Sequence, residues 1–295
     1  MFLIVLEYAI LASTFTIAKQ ALTYAPPFFL IAVRLLSAGT ILTLFSFAMR
    51  SVDIKKVARD WHLFLQVALF HAYFAFIPEF WALQRISSIK TSIIYALTPF
   101  VAALLSFLFY KEVLSPKKWL GLIVGFVGLL PLVALQAAEH EITAFLFFSF
   151  EELVLLFAVC SASYAWFVIK KLMQKGNSLV FINGSAMLLG GVASAATALA
   201  CEGYAWQQVA HWQPFVLSLT LLIILSHIIS YNLYSYLLTR YSITFMTFCG
   251  FLCPLFSTLF GTMFLGEMVH WHHLAALGGV VVGLALFTHD GNFHA

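Results

Sequence analysis

Apolar runs of roughly 18 to 24 residues follow one another along almost the whole chain, and each is long enough to cross a hydrocarbon core of about 30 Å as a helix. We count ten, at about 2–22, 27–48, 62–84, 89–110, 118–136, 152–172, 179–200, 214–238, 243–265 and 270–288. Charged residues make up only 9% of the chain, and the mean hydropathy is +0.99. A typical soluble domain carries about 25% charge. The sequence therefore predicts an all-α protein of the lipid bilayer with ten transmembrane helices.

An internal repeat relates two blocks of the sequence. Residues 83–129 return at 238–284, shifted by 155 positions. The matching positions pair Arg85, Ser87, Pro99, Glu112 and Gly128 with Arg240, Ser242, Pro254, Glu267 and Gly283. Identical residues that recur at one offset indicate that the chain contains two copies of one unit. We expect a first five-helix repeat in residues 1–150 and a second in residues 151–295.

Basic residues are concentrated in the connections after the even-numbered runs. They are Arg50, Lys55, Lys56, Arg59, Lys111, Lys117, Lys118, Lys170, Lys171, Lys175 and Arg240, against Arg85 and Lys90 in the other connections. The positive-inside rule places the richer side in the cytoplasm, so we expect both termini there. Because a five-helix unit is odd, its second copy must enter the membrane from the opposite face. Inverted repeats are typical of secondary transporters, whose substrate site lies near the midplane between the halves.

The two repeat blocks resemble the signature of the EamA-type transporters of the drug/metabolite transporter superfamily. The matching residues are Pro99, Glu112, Trp119, Gly121, Gly125 and Gly128 in the first half, and Pro254, Gly266, Glu267, Gly279 and Gly283 in the second. Lys19 and Arg34 sit where the family's first helix pair usually carries a lysine and an arginine. Lys111 departs from the usual glycine. The resemblance covers essentially the whole chain and implies an inner-membrane transporter without naming a substrate.

Two prolines and two glutamates hold equivalent places in the repeats. Pro99 and Pro254 are expected near the middle of helices 4 and 9, where each removes a backbone hydrogen bond and causes a kink or local unwinding. The freed carbonyls then either line a shared cavity or only shape the packing. For Glu112 and Glu267, at the ends of these helices, we expect a structural role through pairing with a basic side chain or capping of the next helix.

Ionisable side chains inside apolar runs are costly in a bilayer and often mark a functional site. They are Glu7, Lys19, Arg34, His71, Glu79 and His227. Glu7 is expected to reach headgroup water from the cytoplasmic start of helix 1. Lys19 and Arg34 are expected either to snorkel to the membrane surface or to bind an anionic group. All six are expected to face protein or cavity and not lipid.

Helices 3 and 8 carry the densest groups of polar and aromatic residues. An acid among aromatic rings suits a cationic or zwitterionic organic substrate through charge pairing and cation–π contact. In the 3.6-residue helical period, positions 71, 74 and 78 share one face. A position in the belt of aromatic residues at the membrane surface explains the presence of Trp81 almost as well as a role in substrate binding. The predicted substrate-binding residues are His71, Tyr73, Glu79, Trp81, Pro99, His227, Tyr231, Asn232 and Pro254.

These features predict a secondary transporter that moves a small organic metabolite by alternating access. The leading substrate class is an amino acid or related amine-bearing compound. Within the resemblance, S-adenosylmethionine is one possibility, because a sulfonium cation and an adenine ring suit aromatic rings with an acid. No cofactor, resident metal or nucleic-acid partner is expected, since no nucleotide or metalloprotease motif is present. The coupling ion stays open.

Two alternatives remain open at this stage. A membrane-embedded enzyme acting on lipid would need an acid–base or metal constellation, and only Glu79 with His71 comes close. A metal or ion permease would draw on histidines that map to the non-cytoplasmic side. These are His140, His211, His270, His272 and His273, and their spacing has no fixed ligand pattern.

Overall fold

The computed structural model describes residues 2–85, 94–134, 149–265 and 271–289. We number its long helices α1 to α10. They are α1 (Phe2–Leu22), α2 (Pro27–Ala48), α3 (Trp61–Val67, Ala68–Tyr73 and Phe74–Leu83), α4 (Thr98–Tyr110), α5 (Pro116–Ala134), α6 (Phe150–Gln174), α7 (Leu179–Glu202), α8 (Trp212–Leu222, Ile223–Ser230 and Tyr231–Leu237), α9 (Ile243–Cys249 and Leu252–Leu265) and α10 (Trp271–Thr288). A short helix, Ile54–Arg59, precedes α3.

Five of these helices have the length and hydropathy needed to cross a membrane. Their bounds are Pro27–Ala48, Trp61–Ala82, Phe150–Gln174, Leu179–Glu202 and Trp212–Leu237. Shorter apolar helices accompany them at Phe2–Thr14, Thr98–Tyr110, Ile243–Phe256 and Leu274–Thr288. The described part of the chain is therefore all-helical, with helices long and apolar enough to cross a membrane.

Local sequence fixes several helix ends. Proline begins α2, where a missing N–H and a fixed φ are tolerated. The carboxylate of Glu202, at the end of α7, accepts the N–H groups of Phe28 and Phe29 at 2.8 Å each. A capping box of Ser149 and Glu152 starts α6. At the starts of α2 and α6, backbone N–H groups that have no partner within the helix are thus bound by side chains.

Two helices contain π-helical segments at related positions. The segments are Ala68–Tyr73 in α3 and Ile223–Ser230 in α8. Ile223 follows Ala68 by 155 positions, which is the offset of the sequence repeat. Each widened turn shifts the phase of the residues that follow it. Phe74 packs on Phe157 of α6 at 5.6 Å, whereas His71 contacts the rings of Trp166 and Tyr231.

The prolines of α4 and α9 lie directly after breaks in the helices. Residues 96–97 and 250–251 are turns. Pro99 is the second residue of Thr98–Tyr110 and Pro254 the third of Leu252–Leu265. The local unwinding expected at both prolines is therefore found, and each proline stands in the first turn of the helical segment that follows the break. Proline fits the first turn of a helix because the N–H it lacks has no partner there.

Glycines bring two helix pairs into backbone contact. A Cβ on Gly39 of α2 would lie 2.4 Å from the backbone nitrogen of Leu188 in α7. A Cβ on Gly128 of α5 would lie 2.7 Å from the Cα of Gly279 in α10. Small residues at such crossings permit close packing without a hydrophobic driving force from the lipid. Gly128 and Gly279 therefore allow α5 and α10 to approach each other closely.

The packing of the helices shows a repeated pattern along the chain. Helix α1 packs against α8 and α9, and α6 packs against α3 and α4. Helices α2 and α7 pack on each other, as do α5 and α10. At one end of the bundle Lys175 donates to Asp60 at 2.6 Å, and Ser178 bonds Ser51 at 3.2 Å. At the other end the backbone N–H of Ala210 donates to the carbonyl of Tyr24 at 3.0 Å.

Candidate functional site

Five rings from three helices meet inside the bundle, and we call them the central cluster. They are His71 and Phe76 of α3, Trp166 of α6, and His227 and Tyr231 of α8. His71 meets Trp166 and Tyr231 edge to face, with ring centroids 4.5 Å and 4.9 Å away. Tyr231 stacks on His227 at 5.4 Å and on Trp166 at 5.9 Å. The structure thus brings together the predicted site residues His71, His227 and Tyr231.

The two imidazoles of the central cluster are buried and keep unused polar atoms. His71 is 3% exposed and His227 is 0% exposed. Within the described part of the chain, both ring nitrogens of His71 lack a hydrogen-bond partner, and so does the Nε2 of His227. Buried polar groups are nearly always paired, so such atoms require an explanation. They offer hydrogen bonds to a polar ligand that enters among the rings.

A buried cation lies beside the central cluster. The guanidinium carbon of Arg34 lies 4.4 Å from the ring centroid of Phe76 and 5.3 Å from that of Phe80. Arg34 is only 4% exposed, and its Nε has no hydrogen-bond partner among the described residues. The expectation that Arg34 snorkels is therefore wrong, because the rings of α3 hold its head group inside the bundle. Its remaining expected role is to bind an anionic group.

The carboxyl group of Glu79 lies on the same side of α3 as Arg34. It is half-buried, forms a side-chain hydrogen bond with the Tyr95 hydroxyl, and interacts electrostatically with Arg34. Opposite charges therefore lie next to a set of aromatic rings. This arrangement suits a zwitterion that carries an aromatic group.

Two predicted residues of α3 lie away from the central cluster. The ring of Trp81 is covered by Arg85, at 4.1 Å, and meets Phe150 at 5.9 Å. It lines a surface pocket of about 280 Å³ together with Phe28, Ile77, Pro78, Phe150, Val154, Thr197 and Cys201. The Tyr73 hydroxyl bonds the hydroxyl of Thr197 on α7 at 2.9 Å.

Asn232 supports the backbone of α8. Its amide nitrogen donates to the carbonyls of His227 and Ile228 at 3.2 Å and 2.9 Å. Its oxygen accepts from Asn183 of α7 at 3.1 Å. Asn183 also donates to the Tyr231 carbonyl at 3.3 Å and to Ser235 at 3.1 Å. These bonds hold the end of the π-helical segment where two cluster rings are attached.

Three residues of this site, Phe76, Trp166 and Asn183, are missing from the predicted substrate-binding residues. Asn183 is an amide inside an apolar run and fully buried, but the prediction considers non-ionisable polar residues only in helices 3 and 8. A search for every hydrogen-bonding side chain within the runs finds it. Trp166 had no such signal, because one aromatic ring among many in an apolar helix is unremarkable in the sequence.

Glu7 lies elsewhere than expected. It is 1% exposed, and the Ser230 hydroxyl of α8 donates to its Oε1 at 2.5 Å. The expectation that Glu7 reaches headgroup water is wrong, because α8 and α9 cover this face of α1. Glu112, in the connection after α4, accepts a hydrogen bond from Ser106 of that helix. Lys19, through its side chain, and Glu267 lie outside the described part of the structure.

Pro99 and Pro254 belong to α4 and α9, whereas the rings of the central cluster belong to α3, α6 and α8. Of the histidines considered for a metal, His211 packs edge to face on Tyr24 at 6.4 Å. His140, His270 and the side chains of His272 and His273 lie outside the described residues. Among the residues that are described, no group of three metal-ligating side chains occurs.

Comparison with known proteins gives relatives along the full chain. The S-adenosylmethionine/S-adenosylhomocysteine transporter of Chlamydia muridarum is 34% identical over 98% of this chain and 91% of its own length. The transporter of the same name from Chlamydia trachomatis serovar L2 is 34% identical over 98% and 89%. An uncharacterized transporter of Synechocystis is 26% identical over 85% and 78%.

A solved protein structure shares the fold. It is 18% identical to this chain and superposes with a TM-score of 0.78 over 99% of this chain and 98% of its own. The EamA-like transporter family matches residues 1–134 and 149–289. The chain therefore belongs to the EamA-like transporter family, and the protein is a membrane transporter and not an enzyme.

Proposed function

We propose that the protein carries S-adenosylmethionine and S-adenosylhomocysteine across the inner membrane by alternating access, with the central cluster as the substrate site. The carrying observation is the full-length similarity to the two Chlamydia transporters of these compounds. The chemistry of the central cluster supports the same substrates independently, through its rings and through its two flanking charges.

The aromatic rings suit the nucleoside and the sulfonium. An adenine ring has two π faces, and stacking on one aromatic side chain contributes about 1–3 kcal/mol. Trp166 and Tyr231 lie parallel enough, at an interplanar angle of 27°, to receive a flat ring between or against them. The sulfonium of S-adenosylmethionine is a soft cation that an aromatic face attracts.

Arg34 and Glu79 suit the amino-acid end of the substrate. A guanidinium binds a carboxylate through two parallel hydrogen bonds, and a carboxylate accepts from an ammonium group. Both substrates carry this amino-acid group, whereas only one carries the sulfonium. A site that holds the shared parts accepts either compound.

In the structure the cluster rings are packed on one another. Trp166 lies 4.2 Å from Tyr234, between centroids, and 4.5 Å from His71. Substrate entry therefore requires α3, α6 and α8 to separate. We assign this step to the rocking of one half against the other, as in transporters built from inverted repeats.

For the architecture we propose ten membrane spans in two inverted halves, residues 1–150 and 151–295, with both termini in the cytoplasm. The two π-helical segments start 155 positions apart, which is the offset of the sequence repeat. Helix α1 packs on α8 and α9 of the second half, and the corresponding α6 packs on α3 and α4 of the first. Both observations support the repeat. The contact of the connections that hold Asp60 and Lys175 supports a shared side for two lysine-rich loops. The positive-inside rule makes that side cytoplasmic.

Among the predicted residues, we propose that His71, Glu79, His227 and Tyr231 contact the substrate. Asn232 supports their backbone through its bonds in α8. Tyr73, Trp81, Pro99 and Pro254 act outside the site, the prolines through the helix breaks that precede them. The residues added to the site are Phe76, Trp166 and Arg34.

Ligand-induced stabilisation of the purified protein tests this proposal. A ligand that binds only the folded state stabilises it by about 2.7 kcal/mol at a hundredfold excess over Kd. We expect S-adenosylmethionine and S-adenosylhomocysteine each to raise the melting temperature, and adenosine or methionine alone to act more weakly, since each fills half of the site. An unchanged melting temperature at millimolar concentration of both compounds contradicts the proposed substrates.

A further inference from the structure

A carboxylic acid is enclosed between the two halves of the protein. Glu7 lies less than two turns inside α1 and is 1% exposed. Ser230 donates to its Oε1 at 2.5 Å, and its Oε2 has no hydrogen-bond partner among the described residues. This group takes no part in the proposed substrate site, so its presence inside the bundle requires another reason.

Among the residues that the structure describes, none supplies a cation that pairs with Glu7. The titratable groups that interact with it are Tyr8 of α1, Tyr231 and Tyr234 of α8, and Cys253 of α9. Within the described ranges, no lysine or arginine lies within the 4.0 Å of an ion pair. An unpaired ionised carboxylate buried in protein costs several kcal/mol. Glu7 is therefore a neutral acid while these helices are closed around it.

The fold itself does not require this polar contact. Ser230 is the last residue of the π-helical segment of α8, and the position 155 residues earlier in α3 is Ala75. Ala75 is buried at the matching place and has no hydrogen-bonding side chain. One half therefore packs there without a polar pair, and the Glu7–Ser230 contact is particular to the other half.

The contact links the proposed substrate site to the interface between the halves. Glu7 belongs to the first half and Ser230 to the second. Ser230 directly precedes Tyr231, whose ring is part of the central cluster. Any movement that separates α1 from α8 to admit a substrate also withdraws the hydroxyl from Glu7 and lets water reach the carboxyl group.

We propose that Glu7 is a proton-binding site coupled to transport. Its carboxylic acid keeps the proton in the closed state, and it ionises by giving that proton to water on the side to which the protein opens. The protein loaded with substrate crosses with Glu7 ionised. After the substrate has left on the far side, Glu7 takes a proton from that compartment and the empty protein returns with it, so one proton moves against each substrate. This inference rests on the proposed transport of S-adenosylmethionine and adds a coupling ion to it.

The test follows protons and substrate together. The parent protein in liposomes with an internal pH dye receives labelled S-adenosylmethionine outside, with potassium and valinomycin clamping the membrane potential. We expect a fixed ratio of protons moved to substrate moved. In Glu7→Gln the ratio should fall to zero at any residual transport rate, because the amide still accepts from Ser230 but has no proton to release. Asp53→Asn, which removes an exposed acid, is the matched control and should keep the parent ratio.

Two further measurements keep the result decisive. Should Glu7→Gln not transport, the pH dependence of substrate binding by the purified variant is compared with that of the parent. A flat profile supports the inference, and the parent's profile overturns it.

Ser230→Ala retains the acid and should keep the proton ratio while the pH profile of transport moves upward, because the ionised form of Glu7 loses its hydrogen-bond donor. Uptake by the parent without proton movement overturns the proton site and leaves the proposed substrate standing, whereas absent uptake refutes the substrate.

Discussion

The ring of His71 meets the indole of Trp166 edge to face, with centroids 4.5 Å apart and an interplanar angle of 69°. His71 belongs to α3 and Trp166 to α6, so this contact joins the two proposed halves directly. A substrate that enters between the halves must replace it. The contact therefore marks the point where movement of the helices and recognition of the substrate meet.

Replacing Trp166 by alanine should weaken substrate binding. Loss of one base-stacking side chain costs about 1–3 kcal/mol, which corresponds to a roughly 5- to 150-fold rise in Kd. Titration of the purified variant with S-adenosylmethionine measures the change. Trp206→Ala is the matched control, because Trp206 lies in the connection after α7 and is 43% exposed. Equal Kd values for both variants would remove Trp166 from the site.

Replacing Glu79 by glutamine keeps the shape of the side chain and removes its charge. If Glu79 accepts from the ammonium of the substrate, the loss of a charge-assisted hydrogen bond weakens binding by roughly 1.5–3 kcal/mol. The same titration, with Glu151→Gln at the start of α6 as control, gives the value. Unchanged affinity in a folded variant would assign Glu79 to a structural contact with Tyr95.

The helix positions were largely predictable from the sequence. The predicted runs 2–22 and 27–48 coincide with α1 and α2, because a change from apolar to polar residues and a proline mark their ends. The π-helical segments were not predictable, since an extra residue in one turn leaves hydropathy unchanged. Such a turn shifts the phase of the residues that follow it in the helix.

The candidate site was predictable only in part. His71, Glu79 and His227 stand out because polar groups are costly in lipid. The sequence shows that Arg34 lies inside an apolar run, but not that the rings of Phe76 and Phe80 cover its side chain. Those contacts depend on how helices pack, which a single sequence does not specify.

Two glycines of α5 and α10 offer a matched test of close packing. A Cβ on Gly128 would lie 2.7 Å from the Cα of Gly279, whereas a Cβ on Gly278 would meet no atom within 4 Å. Gly128→Ala should therefore destabilise the protein by about 1–3 kcal/mol through overpacking. Gly278→Ala should be tolerated. Thermal unfolding in detergent compares them, and equal melting temperatures would contradict the backbone contact.

The connections at one end of the bundle should give a pH-dependent stability. The hydrogen bond from Lys175 is the main cause that lowers the pKa of Asp60 below its ordinary value of 3.8, with further bonds from Arg59 and Asn177. A lowered folded pKa stabilises the protein above the unfolded value, and this stabilisation is lost as the pH falls below 3.8 toward the folded pKa.

Asp60→Asn should remove this dependence. Between about pH 5 and pH 3, the melting temperature of the parent should fall more than that of the variant. Asp53→Asn, which changes an exposed helix cap in the same connection, should behave like the parent. Parallel melting curves for the parent and Asp60→Asn would show that the pair with Lys175 contributes nothing to folding.

Uptake of labelled S-adenosylmethionine by the purified protein in liposomes tests the central claim most directly. We expect saturable uptake above that of protein-free liposomes, reduced by excess S-adenosylhomocysteine on the same side and weakened by Trp166→Ala but not by Trp206→Ala. If the folded parent protein takes up no more label than protein-free liposomes, or if S-adenosylhomocysteine does not compete, the proposed substrates and the assigned site are contradicted.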